Sequence, residues 1–362
     1  MRIALIAVSR AGLEQAEKLL NLYPDAEIYA PPRLAGQLSL RRGQAAEKTF
    51  KPEVKALEGG FSPAVEGLFR SCQLLVFVSA VAVAVRAVGP LLRGKSIDPA
   101  VVVVDDQGRY AVSLLSGHLG GANDYCSAIA AELGAEAVIT TASDLRGITA
   151  FDHLARKHNW QIENLSDLKA ISAALLEEGE VALYCEEPFD HPLSGRIRIV
   201  SDLDELAQPF AGRVIVSSRA NPLPWPVPGP WIILRPRHIF AGVGCRRGIT
   251  APAVISELKR AFELSGLDFS CLAAIASGEF KADEEGLIDA ARELGLPLLI
   301  YSLKEIAAAL GDSEQSDFVE SQVGVGAVAE PCARLAAGGG RVVLPTQRAR
   351  GITVALASGP IA

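Results

Sequence analysis

The chain has 362 residues, too many for one ordinary hydrophobic core, so two or three domains are expected. Hydrophobic residues make up 49% and charged residues 21%, a balance that excludes a disordered chain. A net charge of −7 argues against a nucleic-acid partner, because a phosphate backbone is normally met by a basic face.

With one Met and 6% aromatic residues, Val, Leu, Ile and Ala must fill the cores, which favours parallel sheets covered by helices. Residues 2–8 form an apolar run that reads as a first strand. The run is too short for a signal peptide, and Arg10 follows without a cleavage pattern. Helical spacing over 11–20 and a short strand at 27–30 follow, ended by Pro31-Pro32. The polar, basic stretch 33–60 has weak periodicity and reads as irregular. A helix near 63–69 and a strand at 74–78 come next. Residues 74–92 nearly suffice to span a bilayer, but Arg86 lies near the centre and Gly89-Pro90 breaks the run. A charge there costs about 3 kcal/mol, so a buried strand and a buried helix are the better reading. Residues 101–105 and 110–115 flank Asp106-Gln107-Gly108 and predict a hairpin. A helix over 122–133 and a strand at 137–141 complete a first α/β domain, 1–145.

A less distinctive middle region, 146–220, has helical spacing at 150–157 and 168–178 and strands at 181–185, 197–200 and 214–217. The proline-dense run 221–230 cannot be helix or central strand, so 221–235 reads as a semi-rigid linker. The α/β pattern then restarts in a domain at 236–362. Its strands are 239–243, 273–276, 298–301, 341–344 and 352–356, and its helices 252–264, 287–294 and 328–337. The expected architecture is therefore two three-layer α/β domains with mainly parallel sheets, joined by a smaller α/β middle region and a Pro-rich linker. Six cysteines (Cys72, Cys126, Cys185, Cys245, Cys271 and Cys332) are scattered without a CxxC pair. They read as reduced thiols of a cytoplasmic protein, and no metal site is expected.

The densest polar cluster of the first domain is Ser116-Gly117-His118-Leu119-Gly120-Gly121-Ala122-Asn123-Asp124. It follows a strand and opens a helix, a position at which open α/β sheets bind ligands at strand carboxyl ends. Glycines admit close approach to main-chain N–H groups, the helix dipole favours an anion, and His118 can move protons near neutral pH. The same residues also read as a glycine turn, capped by Asn123 or Asp124, with His118 bonded to backbone. Arg86 and Lys95 could hold a substrate carboxylate; alternatively Arg86 pairs with Asp98 or Asp105 and Lys95 is solvated surface. The run Thr140-Thr141-Ala142-Ser143-Asp144 could line the same crevice or cap the next helix.

In the last domain, Gly242-Val243-Gly244-Cys245-Arg246-Arg247-Gly248 is only a loose relative of a dinucleotide loop, and no acidic ribose partner ends the next strand. Arg246 and Arg247 instead offer bidentate binding to carboxylates, with Thr250 as a helix cap and Cys245 buried. Lys281 to Gly286 carries a cation and acids, among them Glu284, suited to base chemistry or to a first helical turn.

These segments together resemble the cobalt-precorrin-5A hydrolase family. One resemblance covers roughly 73–144, through DPAVVVVDDQGRYAVSLLSGHLGGAND and AVITTASD; the second covers roughly 239–358, through FAGVGCRRGIT, ASGEFKADEEGL, VGVGAVAEPCA and ITVALAS. The start, RIALIAVSRAGLEQAEKL, is similar too, and the middle adds little. Family members often carry a lysine where this chain has Thr346, which leaves that lysine's role open here. The resemblance implies a cobalt-bearing tetrapyrrole substrate whose acetate lactone is opened with water. The bridging meso carbon then leaves with its methyl as acetaldehyde, giving cobalt-precorrin-5B for cobalamin synthesis. Cobalt belongs to the substrate, so no protein cofactor is expected.

On this reading His118 is the general base, with Glu284 the second choice. The N–H groups around Gly117, Gly120 and Gly121 bind the oxyanion. Ser116, Asn123, Arg86 and Lys281 line the substrate, while Arg246 and Arg247 hold carboxylates across an interdomain cleft. Transient contacts with neighbouring pathway enzymes are the further partners expected, with no membrane and no nucleic acid. A non-catalytic tetrapyrrole carrier is the competing reading. A nucleotide-dependent transferase is weaker, because no P-loop is present.

Overall fold

The computed structural model describes residues 1–36, 53–94, 97–187, 191–223, 225–309 and 328–361. The chain forms two compact units, Met1–Arg156 and Lys157–Ala362.

The first unit begins with β1 (Ile3–Ala7), α1 (Arg10–Leu19), β2 (Glu27–Ala30) and β3 (Val54–Ala56). It continues through α2 (Phe61–Ser71), β4 (Leu74–Val78), α3 (Val81–Val88), β5 (Ala100–Val104) and β6 (Tyr110–Leu115). Its last elements are α4 (Ala122–Leu133), β7 (Glu136–Val138), α5 (Ala142–Leu145) and α6 (Phe151–Lys157). The sheet order is β3-β2-β1-β4-β5-β6-β7. Strands β1, β4 and β5 are buried at every position, which is why their sequences are continuous apolar runs rather than alternating ones. Ile3, Leu5 and Ala7 pack with Leu13, Ala16 and Leu19 of α1 and with Cys126 and Ile129 of α4. Ala4 and Ile6, on the other face, pack with Val65, Leu68 and Phe69 of α2 and with Ala84 and Val88 of α3. Two helical layers therefore enclose the sheet.

Strands β1 to β5 are mutually parallel, but β6 runs antiparallel to β5 and β7 runs parallel to β6. The reversal is made by Asp105, whose carboxylate accepts the N–H groups of Gln107 (3.1 Å), Arg109 (2.8 Å) and Tyr110 (2.7 Å). Gly108 supplies the left-handed residue of the turn, at φ 68°. The carboxyl ends of β6 and β7 thus lie at the edge of the sheet where β1, β4 and β5 begin.

Two expectations for this unit change. Residues 54–56 lie in the stretch read as irregular, yet they pair with β2 as an edge strand; residues 37–52 lie outside the described residues. The helix read as buried is buried on one side only. Val81 and Val85 are exposed, and so is Arg86, which removes the cost of a buried charge.

The second unit carries two sheets. The first holds β8 (Gln161–Glu163), β9 (Val181–Cys185), β10 (Ile197–Val200), β11 (Gly212–Val216) and β12 (Trp231–Arg235), with α7 (Leu168–Leu176) packed against it. Its order is β10-β9-β11-β12-β8, with only β8 antiparallel. The placement of 231–235 in a linker is therefore corrected. Ile232, Ile233 and Leu234 are buried in a strand beside β11, and the proline run before it is the crossover between two strands of one sheet.

The second sheet comprises β13 (Ile239–Cys245), β14 (Leu272–Gly278), β15 (Leu298–Tyr301), β16 (Arg341–Ala349) and β17 (Ile352–Ser358). Its order is β15-β14-β13-β17-β16; β13, β14 and β15 are parallel, and β17 is antiparallel to both neighbours. Its helices are α8 (Ala251–Ser265), α9 (Glu285–Leu294), α10 (Leu303–Ala309) and α11 (Ala329–Ala336). Residues 323–327 of the VGVGAVAEPCA segment lie outside the described residues. All six cysteines are unpaired.

Gly242 sets the closest approach in this sheet, because a Cβ there would stand 1.7 Å from the Ala329 carbonyl oxygen. Gly242→Ala should therefore cost about 1–3 kcal/mol by overpacking. Gly67→Ala, in the open on α2, should stabilise by about 0.4–1 kcal/mol. Thermal denaturation of the two variants checks this, and equal midpoints would refute it. A second prediction concerns acid. The Lys55 ammonium and then the Tyr29 hydroxyl hold the Glu27 carboxyl down to about 2. That folded value lies below the ordinary one, so the contribution is complete above about pH 4.3 and fades as the pH falls through it. Glu27→Gln should flatten the acid limb of the unfolding curve toward pH 2.

Candidate functional site

The shared direction of β6 and β7 brings two loops together. Beyond β6, Ser116 adopts φ 59° and donates its Oγ to the carbonyl oxygen of Asp98 at 3.0 Å. Gly120 lies so close beneath that a Cβ would stand 2.5 Å from the Ser116 Cβ. Gly121, at φ 83°, occupies the cap position of α4, and the Arg156 guanidinium lies where its side chain would be. The first two N–H groups of α4 are taken: Ala122 donates to Ser116 O and Asn123 to Gly117 O, both at 3.1 Å. The helix terminus is thus closed by its own loop, against the expectation that these donors face a ligand.

Asn123 is 5% exposed and caps nothing. Its Oδ1 accepts from Ser113 Oγ at 2.6 Å, and its Nδ2 donates to Thr141 Oγ1 at 3.1 Å and to Asp144 Oδ2 at 2.9 Å. One amide therefore joins β6 to the loop after β7. Across that join, His118 Nε2 lies 2.9 Å from Ser143 Oγ and 3.7 Å from Asp144 Oδ2. The nearby carboxylate favours the tautomer with the ring proton on Nε2, and the Ser143 hydroxyl can accept from or donate to that nitrogen. The other nitrogen, Nδ1, is buried without a hydrogen-bond partner. The His118 side chain is 14% exposed and that of Asp144 is 39% exposed, so the carboxylate is the open member of the pair. An imidazole acting as a freely accessible base is not what the structure presents; proton exchange is confined to its Nε2 side.

Arg156 is the residue that sequence reasoning missed. Its Nε donates to His118 O at 3.2 Å, and its Nη2 donates to Gly121 O at 3.3 Å and to Asp124 Oδ2 at 2.9 Å. Its guanidinium also lies 5.3 Å from the centre of the Tyr125 ring. His153, one turn earlier on α6, stands with Nδ1 3.8 Å from the same Asp124 oxygen and its ring 6.2 Å from that of His118. The i, i+3 spacing of His153 and Arg156 was the available signal.

Other expected residues fall elsewhere. Arg86 does not pair with Asp98 or Asp105, whose carboxylates are engaged by main-chain N–H groups. Lys95 lies outside the described residues. In the second unit, Arg247 donates to Asp283 Oδ2 at 2.7 Å and to Phe280 O at 3.3 Å, and it holds the Asp283 carboxyl below its ordinary range. Arg246 is exposed, with its aliphatic stem beside Gly351 and no ion pair among the described residues. Glu284 is 4% exposed and accepts the Gly248 N–H at 2.9 Å, while its other oxygen stands 3.7 Å from the buried Lys281 Nζ. This pair ties the GVGCRRG loop to the segment before α9, an arrangement that leaves Glu284 little freedom as a base. Thr250 holds the cap position of α8 without a side-chain bond, and burial pushes the Cys245 thiol up. Among the described residues no His, Cys, Asp and Glu group could hold a metal ion.

Comparison with known proteins gives three family matches in chain order. Residues 63–144 match the Cobalamin synthesis G N-terminal model, residues 149–236 the Cobalamin biosynthesis central region, and residues 239–357 the Cobalamin synthesis G C-terminus. The cobalt-precorrin-5A hydrolase of Salmonella typhimurium is 34% identical, over 98% of this chain and 97% of its own. That of Priestia megaterium is 27% identical, over 98% and 94%. The solved cobalamin biosynthesis protein chiG of Agrobacterium tumefaciens is 33% identical and covers 33% of this chain and 98% of its own, with a TM-score of 0.28.

Arg156→Ala should remove charge-assisted bonds worth about 1.5–3 kcal/mol in stability. It should also speed amide exchange across residues 116–124, and Arg156→Lys should recover only part, since one ammonium nitrogen cannot span the acceptors that Arg156 reaches separately through Nε and Nη2. Unchanged exchange in both variants would show that the loop holds itself.

Proposed function

The chain belongs to the cobalt-precorrin-5A hydrolase family, and on that basis we propose that it opens the lactone of cobalt-precorrin-5A with water and releases acetaldehyde, giving cobalt-precorrin-5B in cobalamin synthesis. The observation that carries the chemistry is the His118–Ser143–Asp144 group, set at the carboxyl ends of β6 and β7 and held by Asn123. The partner required is a cobalt-bearing tetrapyrrole. Cobalt arrives with that substrate, and the reading assigns no cofactor to the protein.

Attack of water on the lactone carbonyl needs a proton acceptor on the open side of the group. Asp144 is that acceptor, with His118 Nε2–H behind it to balance the charge. The tetrahedral oxyanion requires donors fixed in advance, each worth about 3–4 kcal/mol, and the main-chain N–H groups of Gly117, Gly120 and Gly121 are assigned to it. Cleavage of the acyl carbon–oxygen bond leaves a carboxylate on the acetate arm and a hydroxyl on the meso carbon. Deprotonation of that hydroxyl forms the C=O bond of acetaldehyde as the bond from the meso carbon to the macrocycle breaks, its electron pair staying on the ring, and the same pair accepts that proton and returns it to the ring. Arg86, which is exposed, is assigned to a peripheral carboxylate, whereas Arg247 is already held by Asp283. Among the described residues no helix is long and apolar enough to cross a membrane. A carrier would have no use for a proton-handling pair, so the hydrolytic reading is favoured over a tetrapyrrole carrier.

Purified protein incubated with cobalt-precorrin-5A should yield trapped acetaldehyde. His118→Gln and Asp144→Asn should each lower kcat by about 10²–10⁴-fold. Glu284→Gln should act mainly on stability. Absence of acetaldehyde from the wild-type protein would end the hydrolytic reading, and near wild-type turnover in both site variants would end the assignment of residues.

A further inference from the structure

Two cavities of the first unit are large enough to receive part of a ligand. The larger, about 620 Å³, lies along β3 and is lined by Arg2, Tyr29, Lys55 and Glu58 among others. Its cations are spent, because Arg2 and Lys55 both pair with Glu27. The smaller, about 450 Å³, is lined by Phe69 and Arg70 at the end of α2, by Leu91, Leu92 and Arg93 after α3, and by Ile97. Its volume falls within the roughly 300–1,000 Å³ of small-molecule sites.

Three observations single out the smaller cavity. Leu92 is 49% exposed and Ile97 69% exposed, so two large apolar side chains in its lining leave much of their surface uncovered by the described residues. Their outward position is built in. The buried Asp98 carboxylate accepts the N–H groups of Arg93 (3.0 Å) and Gly94 (3.0 Å), a turn that pulls main chain inward and leaves Leu92, Arg93 and Ile97 on the outside. Arg93 is exposed and makes no ion pair with a described residue, whereas Arg70 is matched by Glu66. The cavity therefore combines two exposed apolar side chains with one guanidinium that makes no ion pair with a described residue, beside the matched Arg70–Glu66 pair. Finally, the cavity wall at Asp98 and Pro99 is also the support of the histidine loop: Asp98 O accepts from Ser116 Oγ, and Gly120 packs against the Ala100 nitrogen.

We propose that this cavity is a substrate subsite, which receives one apolar edge of the tetrapyrrole while Arg93 pairs with a peripheral carboxylate. The assignment rests on the hydrolytic reading for the identity of its ligand. An apolar disc fringed by carboxylates offers its face to Leu92 and Ile97 and a carboxylate to Arg93, and a guanidinium binds a carboxylate by two parallel bonds. The volume admits an edge of the macrocycle rather than the whole of it. The shared wall then brings that edge beside the loop that carries His118.

The test is a spectroscopic titration of the full chain with cobalt-precorrin-5A, run beside the acetaldehyde assay. Arg93→Glu and Ile97→Asp should each weaken binding and raise KM by about tenfold or more, with kcat within about threefold of wild type. Leu264→Asp, at an exposed site on α8, is the control and should match wild type. All three positions are exposed, and unchanged thermal midpoints verify folding. Wild-type turnover with unchanged Kd and KM in both variants overturns the subsite alone. Binding that both variants weaken, without acetaldehyde from any protein, supports the subsite and ends the hydrolytic reading. Failure of the wild-type protein to bind overturns both.

Discussion

Asp105 gathers three main-chain N–H groups into a turn, and the reversal this enforces between β5 and β6 decides where the candidate site of the first unit lies. Had β6 continued the parallel order, its carboxyl end would have met those of β1, β4 and β5. Because it is reversed, the SGHLGGAND loop lies instead beside the start of β5. There Ser116 can reach Asp98, and the loop after β7 can reach His118. The strand carboxyl ends at which the candidate site lies are those of the β6–β7 pair.

Within that frame the carboxylates divide by what they accept. Asp98, Asp105 and Glu284 take main-chain N–H groups and shape loops, which is the expected fate of carboxylates with nearby orphan donors. Asp144 takes one side-chain amide and keeps much of its surface in solvent. The difference separates a group that fixes structure from one able to exchange a proton. The same contrast distinguishes Arg156, with three acceptors, from Arg93, which has no described ion-pair partner.

Glycine serves packing more than flexibility at this site. At Gly121 a guanidinium fills the space a side chain would need, and at Gly120 the backbone lies against Ser116. The loop is consequently held from both sides, by Arg156 above and by Asp98 and Ala100 below. A rigid loop suits a reaction in which donors must be in place before charge develops, since preorganised dipoles incur no reorganisation at that moment.

Much of the fold was legible in the residues alone. Continuous apolar runs marked β1, β4 and β5, i, i+3 and i, i+4 spacing marked α1 and α4, and the glycine-bounded His118 marked the loop that matters. These signals are local, because they arise from periodicities of two and 3.6 residues. The turn at Asp106-Gln107-Gly108 likewise marked the reversal between β5 and β6. The pairing of β7 parallel to β6, the burial of His118 Nδ1, the loss of Glu284 to a structural bond and the place of 231–235 in a sheet were decided only by tertiary structure. The bonds that build the site join residues 21, 25 and 38 positions apart. Such pairs depend on which strand lies beside which, and that is settled by long-range packing of apolar faces, which no short window of sequence contains.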